Sequence, residues 1–316
     1  MGIGKLLRRA TERVLDVTVI SAVRHVRPFQ KVVRYVAQET PIHLSFAHAR
    51  RARYLQLRAA FIENGSGSRY DRVLRTRLVE KFEHVDRGVP SLTSPTDGLF
   101  LAEAVLSLEP DGDLVECGCY QGGSTAKLSL LAEAVGRRLL VFDSFAGLPQ
   151  ASGGESRDYD VRLSRKPRWD SGRYSSGLDV VKANVARFGA LATCRFHPGW
   201  FADTLTDANL PRPVALAFTD VDMVGSVRDC LTALWPRLAE GGVLFSHDVT
   251  FFKVVQLFSD VDFWRKFLGT APPILFGAGF GICDDSPHLG FCVKARDLDP
   301  DYVSRLLLYK GLLGGV

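Results

Sequence analysis

The chain lacks the features by which several large protein classes are identified. Its 316 residues contain no uninterrupted apolar run of 18 or more, so no membrane-spanning helix is predicted. The N-terminus lacks the compact apolar core of a signal peptide, because Arg13, Asp16 and Arg24 interrupt it. The six cysteines form no CxxC pair, and most of them lie in apolar, strand-like runs. They are therefore interpreted as reduced core residues, and the protein is predicted to be cytoplasmic.

Two nucleotide-binding motifs are also missing. Neither GxGxxG, the dinucleotide-binding fingerprint, nor GxxxxGK[ST], whose lysine binds phosphates, occurs in the sequence. A nicotinamide-dependent oxidoreductase is therefore disfavoured.

Positive charge is concentrated at one end of the chain. Residues 1–90 contain 18 Lys and Arg against 8 Asp and Glu, a balance of +10, whereas residues 91–316 contain 22 against 27, a balance of −5. We therefore predict two units: a basic helical N-terminal arm or cap over residues 1–90, and a second domain over residues 91–316.

The arm is predicted to be helical from Lys5 to about Val36, and again over His43–Glu63. A basic amphipathic helix can lie on an anionic membrane surface, so peripheral membrane contact is one interpretation. A helical cap or a dimerisation arm with a solvated basic face is the other, and it favours a homodimer. Nucleic-acid binding is not expected, because aromatic and basic residues are not interleaved here.

From Thr96 onward, apolar runs alternate with helical patterns, as in α/β proteins. We predict a Rossmann-like sheet, mostly parallel, with a C-terminal antiparallel hairpin around the turn Asp284–Pro287. The predicted strands are Leu114–Cys117, Leu139–Asp143, Thr193–Phe196, Val214–Thr219 and Val243–His247. The predicted helices between them are Ser124–Ala134, Leu178–Phe188, Ser226–Leu238 and Phe251–Phe267. The polar stretch Gly147–Gly177 lacks periodicity and is interpreted as a functional lid or a disordered loop.

A glycine-rich turn and an acid form the most informative pair. The run Val115–Gly123 reads VECGCYQGG, and Asp143 follows its last glycine by 20 residues. Turn glycines let the backbone approach a ligand, and an acid at the end of the second strand can bind two ribose hydroxyls. The acidic turn around Glu116 suits a cationic ligand, and S-adenosylmethionine, with its sulfonium, amino group and ribose, fits that description.

Polar side chains stand at the ends of four predicted strands. They are Glu116, Asp143, Asp220 with Asp222, and His247 with Asp248. Because ligands of open parallel sheets bind beyond the carboxyl ends of the strands, we expect these groups to share one crevice. Two carboxylates and an imidazole are plausible ligands of a divalent metal. The alternative is that Asp222 caps the following helix and that His247 is a hydrogen-bonded supporting residue.

Five segments occur in an order that resembles the macrocin O-methyltransferase family of class I methyltransferases. They read VECGCYQGG, VFDSFAGLP, HPGWFADTL, FTDVD and EGGVLFSHD. The resemblance covers about Ser91–Val249 and hardly touches the first 90 residues. It implies an S-adenosylmethionine-dependent methyl transfer to a hydroxyl, commonly on a sugar of a secondary metabolite, with assistance from magnesium.

The resemblance also implies roles for individual residues. The residues that would hold the methionine end of the cofactor are Glu116, Gly118, Gly122 and Gly123. Those that would surround its ribose and adenine are Asp143, Ser144 and Phe145, with Gly199 and Trp200 over the adenine. Asp220 would sit between the cofactor and the metal.

One position departs from the family pattern. The family usually ends its fifth strand with two aspartates and a tyrosine, where this chain has His247, Asp248 and Val249. Magnesium prefers hard oxygen ligands, whereas imidazole suits manganese, iron or zinc better. Either the metal differs, or the metal is lost and His247 itself serves as base.

The prediction is an S-adenosylmethionine-dependent O-methyltransferase acting on a small, sugar-like molecule. Asp220, His247 and Asp248 are the predicted catalytic residues and the predicted ligands of magnesium or manganese, which would lower the pKa of the acceptor hydroxyl. The alternatives are a methyltransferase for a phenol or an amine, and a non-catalytic scaffold that binds S-adenosylmethionine. Four residues are interpreted either as part of a sugar pocket or as residues of an exposed lid: Arg168, Trp169, Arg173 and Tyr174.

Overall fold

The computed structural model describes residues 41–153, 155, 158–295 and 297–306. The helix predicted from Lys5 to about Val36 lies outside those residues, and so does the membrane contact predicted for it. No helix in the described part of the chain is both long and apolar enough to cross a membrane. The chain divides into two compact units, Met1–Leu55 and Gln56–Val316.

A six-stranded sheet forms the centre of the second unit. Its strands are β1 Asp113–Cys117, β2 Leu139–Asp143, β3 Cys194–Pro198, β4 Val214–Thr219, β5 Leu238–Ser246 and β6 Gly290–Val293. The order across the sheet is β3-β2-β1-β4-β5-β6, and every pair is parallel except β5 with β6. The predicted Rossmann-like, mostly parallel sheet with an antiparallel C-terminal element is confirmed.

Helices connect the strands, and three of the described ones precede β1 in the chain. In the described part of the chain they are α1 Pro41–Glu63, α2 Arg72–Gly88, α3 Pro95–Ser107, α4 Gly123–Val135, α5 Leu178–Phe188, α6 Phe201–Thr204, α7 Val224–Arg237, α8 Phe252–Ser259, α9 Val261–Phe263 and α10 Pro300–Leu306. A short 3₁₀ turn, Leu191–Thr193, precedes β3, and a π-helical turn, Trp264–Leu268, follows α9.

Three strands of the sheet are buried along their whole length. All residues of β1, β4 and β6 are buried, which explains why β4 and β6 read as apolar runs rather than as an alternation. One apolar cluster joins the sheet to α7, α8 and the π-helical turn, where the rings of Trp235 and Trp264 meet edge to face at 4.8 Å. Five cysteines are buried and Cys283 is half-buried, and all six are free thiols.

Helices α2 and α3 have no counterpart among the predicted elements. Residues Thr96 to Leu106 of α3 are all buried, so this helix shows no polar face from which a helical period can be read. Its start does carry a sequence signal. Ser94 and Asp97 form a capping box, each side chain accepting a hydrogen bond from the other's main-chain N–H, with Pro95 at the first turn.

The helix predicted over Phe251–Phe267 is divided. Helix α8 ends at Ser259, and the carboxylate of Asp260 accepts a hydrogen bond from the N–H of Phe263 at 3.0 Å, starting α9. An aspartate that caps a new turn competes with continuation of the old one. Because Asp260 caps a new helix, the single apolar pattern of this segment corresponds to two helices.

Strand register brings the predicted site residues to one edge of the sheet. Cys117 pairs with Thr219, and Thr219 pairs with Ser246, so β1, β4 and β5 end level with one another. The ladder continues one residue further, because Asp220 N–H donates to the Cys117 carbonyl at 2.9 Å and His247 N–H donates to the Thr219 carbonyl at 2.8 Å. Asp220 and His247 therefore leave adjacent strands side by side.

Candidate active site

A first pocket opens beyond the carboxyl ends of β1, β2 and β4. It contains about 720 Å³ of empty space, part of it open to solvent. Six residues predicted to bind the cofactor line it: Gly118, Gly123, Asp143, Ser144, Trp200 and Asp220.

The turn after β1 requires glycine. Gly118 has φ +84°, and a Cβ at this position would lie 2.0 Å from the carbonyl oxygen of Asp220. A Cβ on Gly123, at the start of α4, would lie 2.8 Å from Cβ of Ser91. Main chain therefore forms this wall of the pocket, and only the absence of side chains keeps the approach open.

Asp143 is fixed at the opposite wall. Its two carboxylate oxygens accept hydrogen bonds from the N–H groups of Cys119 and Phe145, each at 2.7 Å. Each oxygen keeps a further lone pair, so the side chain is oriented and still able to accept hydrogen bonds from a ligand.

Four residues predicted to bind the cofactor do not line either pocket. Glu116 lies on β1, Gly122 precedes α4, Phe145 follows Asp143 with φ +54°, and Gly199 follows β3. Glu116 is fully buried. This burial raises the pKa of Glu116 to about 8.

A second, wider pocket adjoins the first. It contains about 1100 Å³ of empty space and is lined by all three predicted catalytic residues, Asp220, His247 and Asp248. Asp220, Asp222, Tyr174 and Leu92 line both pockets, so the two spaces meet at these side chains. Trp169, Arg168 and Arg173 of the polar stretch line the second pocket as well.

His247 is held between two carboxylates. Its Nε2 lies 3.3 Å from Oδ2 of Asp97, and its Nδ1 lies 3.4 Å from Oδ1 of Asp220. Burial opposes a charge on this ring, but the carboxylates of Asp220 and Asp97 outweigh it and raise the pKa of His247 well above its usual range. Asp97 is itself buried, and it also accepts a hydrogen bond from Ser286 Oγ. Despite the cost of burial, bonds to His247 and Ser286 lower the pKa of Asp97.

Asp248 shapes the loop that follows β4. Its carboxylate oxygens accept hydrogen bonds from the N–H groups of Val221 and Asp222, both at 3.1 Å. Asp222 adopts φ +63°, a left-handed conformation that aspartate tolerates better than most residues. Burial and the neighbouring charge of Asp220 raise the pKa of Asp222 to about 7.

These contacts do not fit the predicted metal site. Both nitrogens of His247 face carboxylates and therefore carry protons, which leaves no lone pair for a metal. Each oxygen of Asp248 accepts one main-chain N–H and keeps a further lone pair, so the imidazole is the member of the predicted set that cannot bind a metal. Within the described ranges, no group of three or more His, Cys, Asp and Glu side chains is arranged to hold a metal ion. Magnesium or manganese at Asp220, His247 and Asp248 is thus not supported, and no step below depends on it.

Several residues of the site were not predicted from the sequence. Asp97 is the most important, because it contacts His247 across 150 positions of the chain. Its only sequence signal is the capping box, which indicates a helix start and says nothing about the site. His288 also lines the second pocket, and its Nδ1 lies 2.8 Å from Oγ1 of Thr250.

Sheet order, the glycine turn after β1 and the acid that ends β2 together define a Rossmann-like methyltransferase. The family model for macrocin O-methyltransferase (TylF) matches residues 100–273 of this chain. The chain belongs to this family, and the resemblance inferred from its five motifs is confirmed.

Two curated relatives match over 155 and 197 residues. The 8-demethyl-8-(2,3-dimethoxy-alpha-L-rhamnosyl)-tetracenomycin-C 4'-O-methyltransferase of Streptomyces olivaceus is 38% identical over 155 residues, 47% of this chain and 57% of that protein. The mycinamicin III 3''-O-methyltransferase of Micromonospora griseorubida is 29% identical over 197 residues, 60% of this chain and 72% of that protein. Among solved structures, the O-methyltransferase NovP aligns with 72% of this chain and 83% of its own, at 22% identity and a TM-score of 0.46.

Proposed function

We propose that the protein transfers a methyl group from S-adenosylmethionine to a hydroxyl of a sugar-like small molecule. The observation that carries this proposal is the meeting of two pockets at Asp220 and Asp222. One pocket has the glycine turn and the oriented acid of a cofactor site, and the other has room for an acceptor. The names of the relatives, which are sugar or glycoside O-methyltransferases, support the same reaction.

The first pocket suits the cofactor. The backbone of Gly118 and Gly123 lines this pocket and would lie against its methionine end. The free lone pairs of Asp143 would accept hydrogen bonds from the two ribose hydroxyls, and Trp200 would lie against the adenine. When bound, S-adenosylmethionine would supply the methyl group. The electron pair of the broken carbon–sulfur bond would stay on sulfur, and the acceptor oxygen would form the new bond to carbon.

Asp222 is the proposed proton acceptor. It faces both pockets, and a carboxyl with a pKa of about 7 is partly ionised at neutral pH, where it can take the proton that the acceptor hydroxyl loses. Asp248 positions it by holding the N–H of the same residue. Alignment of the hydroxyl and removal of its proton are the tasks left to the protein, because the cofactor supplies the electrophile.

Asp220 and His247 are assigned supporting roles. Nδ1 of His247 lies 3.4 Å from Oδ1 of Asp220 and orients this side chain, whose other oxygen can accept a hydrogen bond from the acceptor. His247 is a positioning residue in this scheme and not the base, since both of its nitrogens are already donors.

Calorimetric titration with S-adenosylhomocysteine tests the proposal. We expect micromolar binding that is the same in EDTA, magnesium and manganese, followed by methyl transfer to a member of a panel of sugars and glycosides. Transfer only to phenols or amines would replace the acceptor class. Binding without transfer to any acceptor would favour the non-catalytic scaffold, and absence of binding would reject the cofactor assignment.

A further inference from the structure

A short cationic stretch lies at the second pocket. Residues 162–173 contain Arg162, Arg165, Lys166, Arg168 and Arg173 but only one acid, a balance of +4. The larger segment in which they occur, residues 91–316, has a balance of −5. We call residues 162–173 the basic stretch. The reaction proposed above gives it no role.

Four side chains of the basic stretch line the pocket: Arg165, Lys166, Arg168 and Arg173. All four are exposed. Within the described ranges, the only ion pair they make joins Arg168 to Asp170 at 3.3 Å, and both partners are largely exposed, so this pair is weak. Arg173 donates to the Arg168 carbonyl at 3.2 Å and lies over the Tyr174 ring. Most of the positive charge is therefore uncompensated at the mouth of the pocket.

The basic stretch is tied to the rest of the molecule. The main chain of Asp160 pairs with Arg165 and with Phe251, and its buried carboxylate accepts a hydrogen bond from Leu163 N–H at 2.8 Å. Further along, the Trp169 ring packs edge-on against Phe251 at 4.9 Å. These contacts fix the cations at the rim of the pocket.

A second observation also indicates a ligand with oxygen acceptors. The indole nitrogen Nε1 of Trp169 is buried, yet it has no hydrogen-bond partner among the described residues. A buried indole N–H normally finds a partner. Trp169 lines the same pocket as the cations, so its free donor is placed where an acceptor molecule would lie.

The two ends of the pocket differ in their charged groups. Asp220 and Asp222 stand where it meets the cofactor pocket, with the His247 ring beside Asp220, whereas the mouth carries the basic stretch. A molecule that presents a hydroxyl to the acidic end and an anion to the mouth matches this distribution. Arginine recognises phosphate oxygens by paired, charge-assisted hydrogen bonds, whereas the hydroxyls of a neutral sugar accept only weaker hydrogen bonds and neutralise no charge.

We propose that the acceptor is a phosphorylated sugar, such as a sugar joined to a nucleoside diphosphate, whose phosphates bind the basic stretch. The proposal rests on the proposed function, because it names the acceptor of that reaction. The hydroxyl that is methylated belongs to the sugar, and the phosphates supply binding and orientation without reacting.

Calorimetry with uridine diphosphate as the probe, on protein saturated with S-adenosylhomocysteine, tests this inference. We expect binding that weakens at least tenfold in the double variant Arg165→Gln/Lys166→Gln, and that weakens strongly in 0.5 M NaCl because exposed charges are screened. The matched control is Arg77→Gln/Lys81→Gln, which removes two exposed cations on α2 and should leave binding unchanged.

Two further arms identify the chemistry of the ligand. Malate and methyl glucoside, offered in place of uridine diphosphate, should bind far more weakly. Equal binding by both double variants, or preference for malate or methyl glucoside, would overturn the proposal. Affinity for S-adenosylhomocysteine should be the same in all variants. If the unaltered protein does not bind S-adenosylhomocysteine at all, the proposed function itself is rejected and not the acceptor class alone.

Discussion

Asp222 combines a left-handed backbone, a raised pKa and contact with both pockets. Because only its ionised form accepts a proton, kcat/KM should rise with pH through about 7 and level off above. Asp222→Asn keeps the size of the side chain and removes the base, so transfer should fall about 10²- to 10⁴-fold. S-adenosylhomocysteine affinity, measured by calorimetry, should not change. A variant that keeps its turnover and the same pH profile would exclude Asp222 as the base.

His247 determines whether the site holds a metal. Turnover of the unaltered protein should be the same in EDTA and in magnesium, because both nitrogens of His247 face carboxylates and offer no lone pair to a metal. His247→Asp would set three carboxylates, with Asp220 and Asp248, at adjacent strand ends, which is the donor type that magnesium prefers. We expect this variant to bind magnesium in a direct titration, whereas His247→Asn should not. Magnesium binding by the unaltered protein would contradict this account.

Glu116 should make stability depend on pH. Its pKa is raised from 4.5 to about 8 in the folded state. The folded protein therefore resists ionisation, and stability should fall as the pH rises from about 4.5 to 8 and stay constant above. Each unit of difference in pKa corresponds to about 1.4 kcal/mol. Glu116→Gln should remove this slope in thermal unfolding without ligand, while the exposed control Glu80→Gln keeps it.

At the scale of residues, sequence patterns predicted part of the pocket lining, and the roles of these residues stay predictions. Asp143, Gly118 and Asp220 line the first pocket as expected, because a turn glycine and a strand-end acid act through local geometry. Asp97 was not predicted, since its role depends on a contact made only when α3 packs beside the end of β5. The metal expected at His247 is unsupported for the same reason: the partner of an imidazole cannot be read from its neighbours in the chain.

At the scale of elements, one buried ion pair joins α2 to α3. Arg75 lies 2.6 Å from Glu103, and it also donates to the carbonyls of Phe61 and Tyr70. Arg75→Ala leaves a buried carboxylate unpaired and should reduce the free energy of unfolding by about 3–5 kcal/mol. Arg58→Ala, which breaks the half-exposed pair with Glu83, should cost about 0–1 kcal/mol. Urea denaturation measures both, and equal losses would contradict the structural role of the buried pair.

Elements with a clear period were predicted closely. The bounds of β2, β4 and α5 agree with the structure residue for residue. Two of the elements that were missed or misjudged have a tertiary cause: α3 is buried around its whole circumference, and α8 stops because Asp260 caps a new turn. Helix α2 has one buried and one exposed face, so its period could have been read from the sequence. Apolar periodicity reports an element with one solvated face and says little about one without it.

At the scale of the whole molecule, the described site lies within the unit Gln56–Val316. Residues 57–90 supply buried side chains to that unit, among them Leu57, Phe61 and Phe82. The division predicted near residue 90 stays a prediction, and so do the homodimer and the membrane contact.

Residues 1–40 contain eight Lys and Arg against three Asp and Glu. A chain of residues 41–316 should bind S-adenosylhomocysteine as the full chain does. If the membrane interpretation holds, only the full chain should sediment with anionic vesicles. A large loss of cofactor affinity on truncation would instead place the arm in the site.

The carboxylate of Asp97 has two roles, since it caps α3 and also contacts His247. In a mutational scan, substitutions at position 97 would thus be lost in selection for expression as well as in selection for activity. Loss of the helix cap and loss of the contact with His247 could not be told apart at this position. Position 247 would be informative where 97 is not. A neutral side chain at 247 leaves the cap in place but strands a buried negative charge, so tolerated changes at 247 should be recovered chiefly together with second-site changes that supply a new donor to Asp97. Such epistasis would reveal the pair without any assay of methyl transfer.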